Sequence, residues 1–267
     1  MGKVSPMGVQ LWLQSLKVVP KTKTHIRNMA PKTKAHIRNL FYLLFQKACL
    51  WEWTDKNPIQ FVEQSNRRLC DPRVLTTAEF KALVAKLVNP YRAMVLVAGC
   101  LGLRASEIMG LQWQDIDWEH LQVFVRRSVV AGRPDGTKTE ASGKPVPLDP
   151  ELATALIAWR DAAKFTAGTD FIFPGDTGGP RWQGMILKQH IQPAATAAEI
   201  SGKVGWHTFR HSYRAWLKRA GTPVEVQKEL MRHSNIKTTL EIYGLEPDVT
   251  PANREANAGV VKLLMGN

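Results

Sequence analysis

The sequence predicts a mainly α fold with a small β-sheet, an α+β chain in which a short helical domain precedes a larger, mostly helical one. Three observations carry that expectation. From Thr76 onward, apolar residues recur at helical spacing behind recognisable caps. The stretch 121–130 alternates and is rich in β-branched residues, as a half-buried strand is. Between the two parts, Arg67-Arg68-Leu69-Cys70-Asp71-Pro72-Arg73-Val74-Leu75 reads as a connection, because Asp-Pro breaks a helix and its flanking charges are solvated. The expected division is 1–68 for the first domain, 69–75 for the linker and 76–267 for the second.

In chain order, residues 1–19 hold an apolar patch at 9–16 to which no element is assigned. A tandem duplication follows. Pro20-Lys21-Thr22-Lys23-Thr24-His25-Ile26-Arg27-Asn28-Met29 is echoed by Pro31-Lys32-Thr33-Lys34-Ala35-His36-Ile37-Arg38-Asn39-Leu40. Two short copies are too few for a solenoid. The second copy is expected to run into a helix over 33–51 with Ile37, Leu40, Phe41, Leu44 and Phe45 on one face. A short helix near Pro58 should turn Phe61 and Val62 inward.

Thr76 with Glu79 makes a capping box for a helix to about Val88. Residues 90–98 are apolar and helical, and 99–102 turn into another helix at Arg104. A strand at 121–130, a turn at 132–136 and a strand at 144–148 should form a β-hairpin region. Asp149-Pro150-Glu151 supplies a cap, a first-turn proline and an early acid for helix 150–163. A brief strand at 171–174 comes next. Helices are expected at 183–199, at 207–220 before Gly221, and at 223–232 behind a Thr222/Glu225 box, with a shorter one carrying Tyr243.

The formal charge is +13 and the pI about 9.8, which favour a polyanionic partner, either nucleic acid or an anionic membrane surface. The first 40 residues contain eight Lys or Arg and no Asp or Glu. Lys21, Lys23, Arg27, Lys32, Lys34 and Arg38 are therefore the expected phosphate contacts. That basic segment has little apolar content, no apolar run is long enough to span a bilayer, and no signal-peptide core is present. A cytoplasmic protein with no membrane partner is expected. Cys49, Cys70 and Cys100 share no metal-ligand spacing and read as inert thiols of a reducing compartment. The nine tryptophans are expected in the core or at an interface.

Breaking a nucleic-acid strand without a metal sets chemical requirements that a few residues here meet. Charge builds on a phosphate that is already anionic, and an arginine fork donates two bonds while staying charged. Arg104 and Arg210 suit that role. Tyr243 can serve as nucleophile with His207, one helical turn before Arg210, as the neighbouring base. Lys138, beside the 132–136 turn, can protonate the leaving oxygen. His233 closes the set. No P-loop, HExxH sequence or carboxylate cluster gives ATP or metal catalysis a foothold, so no cofactor is expected.

At these residues the chain resembles the tyrosine recombinases, or phage-integrase family, over about 75–245. Gly102-Leu103-Arg104-Ala105-Ser106-Glu107-Ile108 with Leu111 is similar to the family's first arginine box. Lys138 followed by Val146-Pro147-Leu148 is similar to its β-hairpin lysine segment. His207-Thr208-Phe209-Arg210-His211 resembles its His-x-x-Arg box, and His233-Ser234-Asn235-Ile236-Lys237-Thr238-Thr239 with Tyr243 its last. The resemblance implies a tyrosine-recombinase-like catalytic domain behind a helical core-binding domain, and cleavage of double-stranded DNA through a 3′-phosphotyrosyl link in a homotetramer. The apolar tail at 260–265 would dock on a neighbouring protomer. His211 and Glu107 are expected in supporting roles. Arg232 stands where the family usually has glycine, and Arg214 where it has a small residue; neither is expected to touch a catalytic role. Two further readings fit the same residues: a DNA-binding integrase remnant without catalysis, and a type IB-like topoisomerase.

Overall fold

The computed structural model describes residues 4–18, 27–28, 31–63, 73–130, 132–136, 145–232 and 251–265. The chain divides into two compact units, Met1–Asp71 and Pro72–Asn267.

The first unit is helical. α1 (Pro6–Ser15) occupies the patch for which the sequence assigns no element, and Ser5 caps it by accepting the Gly8 N–H at 3.1 Å. The two-residue strands β1 (Lys17–Val18) and β2 (Arg27–Asn28) pair antiparallel, Lys17 opposite Asn28. α2 (Pro31–Leu50) follows, then a single 3-10 turn, Pro58–Phe61. Leu13, Ile59 and Val62 form the core, covered by Ile37, Phe41 and Phe45 of α2. Leu40 and Leu44 are more than half exposed, contrary to expectation, because α1 and the 3-10 turn cover only the narrower Ile37/Phe41/Phe45 stripe. Phe61 is also exposed. The three-residue period of the turn puts Ile59 and Val62, not Phe61, on the inner side.

In the second unit α3 (Thr77–Ala85) begins at the expected box. Thr76 Oγ1 accepts the Glu79 N–H at 3.1 Å, and Glu79 Oε2 accepts the Thr76 N–H at 2.8 Å. Arg73 donates to Glu79 Oε1 at 2.6 Å. The Thr76 N–H bond, aided by the Thr76 hydroxyl and Arg73 and opposed by burial, holds Glu79 below the usual carboxylate range. A depressed folded pKa gives stability that is present above the unfolded-state value and is lost as pH falls through the folded one. Thr76→Ala should therefore cost about 1 kcal/mol in urea denaturation at pH 7, and the deficit should narrow in acid as Glu79 protonates in both proteins.

α4 (Tyr91–Leu101) is buried along nearly its whole length and runs through the centre of this unit. It ends at Gly102, φ +60°, which opens the short α5 (Ala105–Ile108). The expected pairing of the 121–130 stretch with 144–148 is present, but it takes only part of that stretch. β3 (Ile116–Asp117), β4 (Gln122–Val123) and β7 (Val146–Pro147) make a three-stranded antiparallel sheet with β4 in the middle. β5 (Arg127–Val130) instead pairs with β6 (Arg133–Gly136), which occupies the stretch expected to be a turn. Gly132 at φ +78° makes the reversal tight enough for Val130 to face Arg133. The 121–130 stretch is thus two strands, parted at 124–126 and joined to different partners.

Asp149 caps α6 (Pro150–Ala162) through the Glu151 N–H at 2.9 Å, as its sequence predicts. Residues 171–174 contribute only isolated bridges, Phe171 to Gln112 and Pro174 to Pro180. The 183–199 helix is interrupted: α7 (Gln183–Ile186) and α8 (Gln192–Ala197) flank a π turn, Leu187–Ile191. α9 (Trp206–Arg219) and α10 (Val224–Met231) follow. Pro223 precedes α10 without a side-chain cap, and the Thr222 carbonyl takes the Gln227 amide at 2.8 Å, so the expected Thr222/Glu225 box is not the device used.

α11 (Pro251–Met265) closes the unit against α3, α4, α6, α9, α10 and β7. Val260, Val261 and Leu264, expected to dock on a neighbouring protomer, are buried in the core of this unit. Trp113, Trp206 and Trp216 are buried, whereas Trp12, Trp51, Trp53 and Trp182 are exposed. Cys100 lies in the core, where burial pushes its thiol pKa up, and Cys49 is half-buried. Among the described residues no helix is long and apolar enough to cross a membrane.

Candidate active site

The site forms where the C-terminal ends of two helices meet the first turns of α9. Gly205 donates its N–H to Thr208 Oγ1 at 3.0 Å, which fixes the start of α9. His207 stays on the surface of that first turn. One turn on, Arg210 is buried, 7% exposed. Its Nη1 donates to the Gly102 carbonyl at 2.6 Å and its Nη2 to the Met231 carbonyl. These carbonyls belong to the last turns of α4 and α10. Helix C-termini leave carbonyls without intrahelical donors and carry the negative end of the helix dipole, so a guanidinium is what such a junction can bury. Burial still draws the pKa of Arg210 down to about 10. Arg104 and Arg232 lower it as well, and Glu107 opposes them. At neutral pH it remains a cation.

Arg104 enters from the turn after α4. Its backbone N–H donates to Glu107 Oε2 and its Nη1 to Glu107 Oε1, each at 2.8 Å. The Arg104 side chain is 40% exposed while Glu107 is nearly fully buried, so the carboxylate grips the guanidinium from below and leaves its outer edge to solvent. Glu107, expected in a supporting role, is the anion around which the cluster is built.

Arg232 is the residue that reasoning from sequence missed. It ends α10 in the left-handed region, φ +49°, buried, with Nη1 3.6 Å from Glu107 Oε2. The visible signal was a bulky cation between Met231 and His233, next to the proposed last box. What it touches could not be read from there, because Glu107 lies in a distant stretch of chain. Three guanidinium groups against one carboxylate leave the cluster at a net charge of +2. It is suited to binding an anion that gathers charge.

Under Arg210, Tyr213 is buried on the next turn of α9. Its hydroxyl donates to Asn257 Oδ1 of α11 at 2.8 Å, and the Asn257 amide donates to the Pro147 carbonyl of β7 at 3.0 Å. Burial raises the Tyr213 pKa, so it stays a neutral donor. His211 sits beside His207, ring centroids 6.4 Å apart. Arg214 is exposed on the same helix.

The structure therefore brings together Arg104 and Arg210 and sets His207 one turn from Arg210. Lys138, His233 and Tyr243 lie outside the described residues, as does the short helix expected around Tyr243. Of the expected phosphate contacts, Lys21 and Lys23 are also outside them, and Arg27 is described only as part of β2. Lys32 is exposed. Lys34 donates to the Gln14 carbonyl at 2.7 Å. Arg38 is a brace: it donates to the Ile59 and Val62 carbonyls at 2.8 and 3.2 Å and lies over the Tyr42 ring. Its guanidinium is thus engaged inside the unit. Among the described residues no three His, Cys, Asp or Glu side chains are grouped to hold a metal ion.

Residues 73–246 match the family model described as the phage integrase family. The chain is similar to the integrase of Staphylococcus phage L54a, 26% identical over 176 residues, an alignment spanning 57% of this chain and 49% of that one. It is similar to tyrosine recombinase XerD of Mycobacterium tuberculosis, 33% identical over 155 residues, with 58% and 47% covered. The chain thus spans about half the length of these curated relatives. In fold it is similar to the Tn1549 transposon integrase solved with a circular intermediate DNA: TM-score 0.73, 19% identity, 88% of this chain and 79% of that one covered. It also matches a lambda integrase dimer bound to a core site at TM-score 0.62, with 14% identity and 88% and 78% covered.

Proposed function

Because the chain belongs to the phage integrase family, whose pattern spans residues 73–246, we propose that it is a site-specific DNA recombinase acting through a phosphotyrosyl intermediate. The observation that carries this reading is the buried arginine cluster on Glu107. Arg104 offers the exposed edge of its guanidinium to the non-bridging oxygens of a scissile phosphate. Arg210 keeps one further hydrogen on each terminal nitrogen, beyond those given to Gly102 and Met231. Charge that develops on those oxygens is met by donors already fixed in place, so little reorganisation is needed as the reaction proceeds.

In the proposed cycle His207 takes the Tyr243 proton as the Tyr243 oxygen attacks phosphorus, with His233 beside the phosphate. The bond from phosphorus to the 5′-oxygen breaks, and Lys138 protonates that leaving oxygen. A 3′-phosphotyrosine and a free 5′-hydroxyl result. The 5′-hydroxyl of a second strand then gives its proton to Lys138 and attacks the same phosphorus, and the departing Tyr243 oxygen regains its proton from His207. One phosphodiester is replaced by another, so no ATP is needed, and the arginines meet the phosphate charge that a metal ion would otherwise meet. The proposed substrate class is double-stranded DNA; the Tn1549 transposon integrase, whose fold this chain shares, was solved with a circular intermediate DNA. Assembly as a tetramer through the C-terminal tail requires α11 to leave its seat, since Val260, Val261 and Leu264 are buried within the chain.

The test is covalent trapping on nicked suicide duplexes, drawn from the protein's flanking DNA and from a randomised pool. The expected result is an SDS-resistant adduct that maps to Tyr243 and is absent in Tyr243→Phe. Salt-sensitive binding without any adduct would leave a DNA-binding remnant. Relaxation of supercoils with no site preference would make it a type IB-like topoisomerase.

A further inference from the structure

Arg232 occupies a position that resists a side chain. At φ +49° every residue with a Cβ is strained, and such strain persists where the surroundings over-determine it. Here the surroundings are specific. The Arg232 N–H donates to the Glu229 carbonyl at 2.9 Å, closing α10, and its buried guanidinium reaches Glu107. Glu107 is shared. Oε1 takes the Arg104 guanidinium at 2.8 Å, and Oε2 takes the Arg104 N–H while facing Arg232 at 3.6 Å.

Consider the cluster without Arg232. Glu107 would then neutralise Arg104 alone, and the net charge of this cluster would fall from +2 to +1. A phosphodiester carries one negative charge, and a second develops on its oxygens as a nucleophile adds. A further fixed positive charge attracts the doubly charged transition state more strongly than the singly charged ground state, and only that difference accelerates the reaction. We propose that Arg232 is a positioning residue for strand cleavage: by sharing Glu107 it leaves Arg104 a net cation toward the scissile phosphate, where the charge of the transition state develops. The proposal rests on the recombinase reading and adds to it a residue that acts through Glu107 and Arg104. Burial lowers the pKa of Arg232, Glu107 raises it and Arg104 lowers it, as expected for two cations drawn onto one carboxylate.

The left-handed backbone makes glycine the mildest replacement, so Arg232→Gly tests the charge without straining α10. Arg232→Lys keeps the charge. Single-turnover adduct formation on suicide duplexes is measured for both variants and wild type, at saturating protein. The equilibrium Kd is measured separately in a Tyr243→Phe background. Arg232→Gly should slow cleavage at least about tenfold, less than the loss of a donor that touches the phosphate itself, with Kd little changed. Arg232→Lys should recover most of the rate. Placing a neutral methylphosphonate at the scissile position removes one negative charge, and the glycine defect should shrink on that substrate. Equal rates for wild type and Arg232→Gly overturn the proposal. So does a lysine variant as slow as the glycine one, or a defect of unchanged size on the methylphosphonate, since each makes Arg232 a packing element. A wild type that traps no DNA sinks the recombinase reading itself, and this inference with it.

Discussion

Arg210→Lys is expected to slow strand cleavage by about two to three orders of magnitude, the loss seen when a fixed transition-state donor is removed. Lysine keeps the charge but has no planar fork. Arg210 bridges the Gly102 and Met231 carbonyls and keeps further N–H groups to donate, whereas one ammonium cannot hold both carbonyls and offer the same fork. One carbonyl loses its charged donor, so stability should also fall by roughly 1–3 kcal/mol. Single-turnover cleavage and urea denaturation read the two effects separately. The depressed pKa adds a check on pH. The folded state releases the Arg210 proton before the unfolded state does, so its buried charge costs stability at neutral pH. Cleavage should fall as pH rises through about 10, below the ordinary arginine range. An Arg210→Lys protein that cleaves like wild type would remove Arg210 from the chemistry.

Gly102→Ala is expected to be the most damaging small substitution in the second unit. Gly102 sits at φ +60°, and a Cβ there would lie 2.2 Å from the Tyr213 ring. That ring cannot yield easily, because it is fully buried and its hydroxyl is tied to Asn257. Left-handed strain and overpacking together should cost on the order of 3 kcal/mol. The damage should also reach the site, since the Gly102 carbonyl holds Arg210 and the next turn carries Arg104. Loss of stability is read by denaturation, and loss of cleavage at a temperature where the variant remains folded. Tyr213→Phe/Gly102→Ala would stay poor, as the clash is with the ring and not the hydroxyl. A variant with unchanged midpoint would mean that this turn has room the packing denies.

Features readable from sequence were those completed within a few residues. The Thr76/Glu79 box and the Asp149 cap close within one helical turn, so the residue types nearly specify the bonds. The strand pairing was not readable in that way. Residues 121–130 satisfy a strand pattern, but whether they form one strand or two depends on the partners, and β4 and β5 found different ones. Burial on α2 failed for a similar reason: the apolar face was visible, but how much of it the small first unit could cover was not.

The same division runs through the site. By itself the sequence determined a basic chain, the order of its arginine, histidine and tyrosine boxes, the caps that start α3 and α6, and the glycine that ends α4. Only the tertiary structure decided that two helix C-termini converge on Arg210, that Arg232 joins Arg104 on Glu107, that Arg38 braces the first unit, and that α11 packs on its own chain. Caps and turns are set by hydrogen bonds between near neighbours in sequence. Burial and charge coupling depend on which distant helix ends meet, and that is fixed only when the core closes around them.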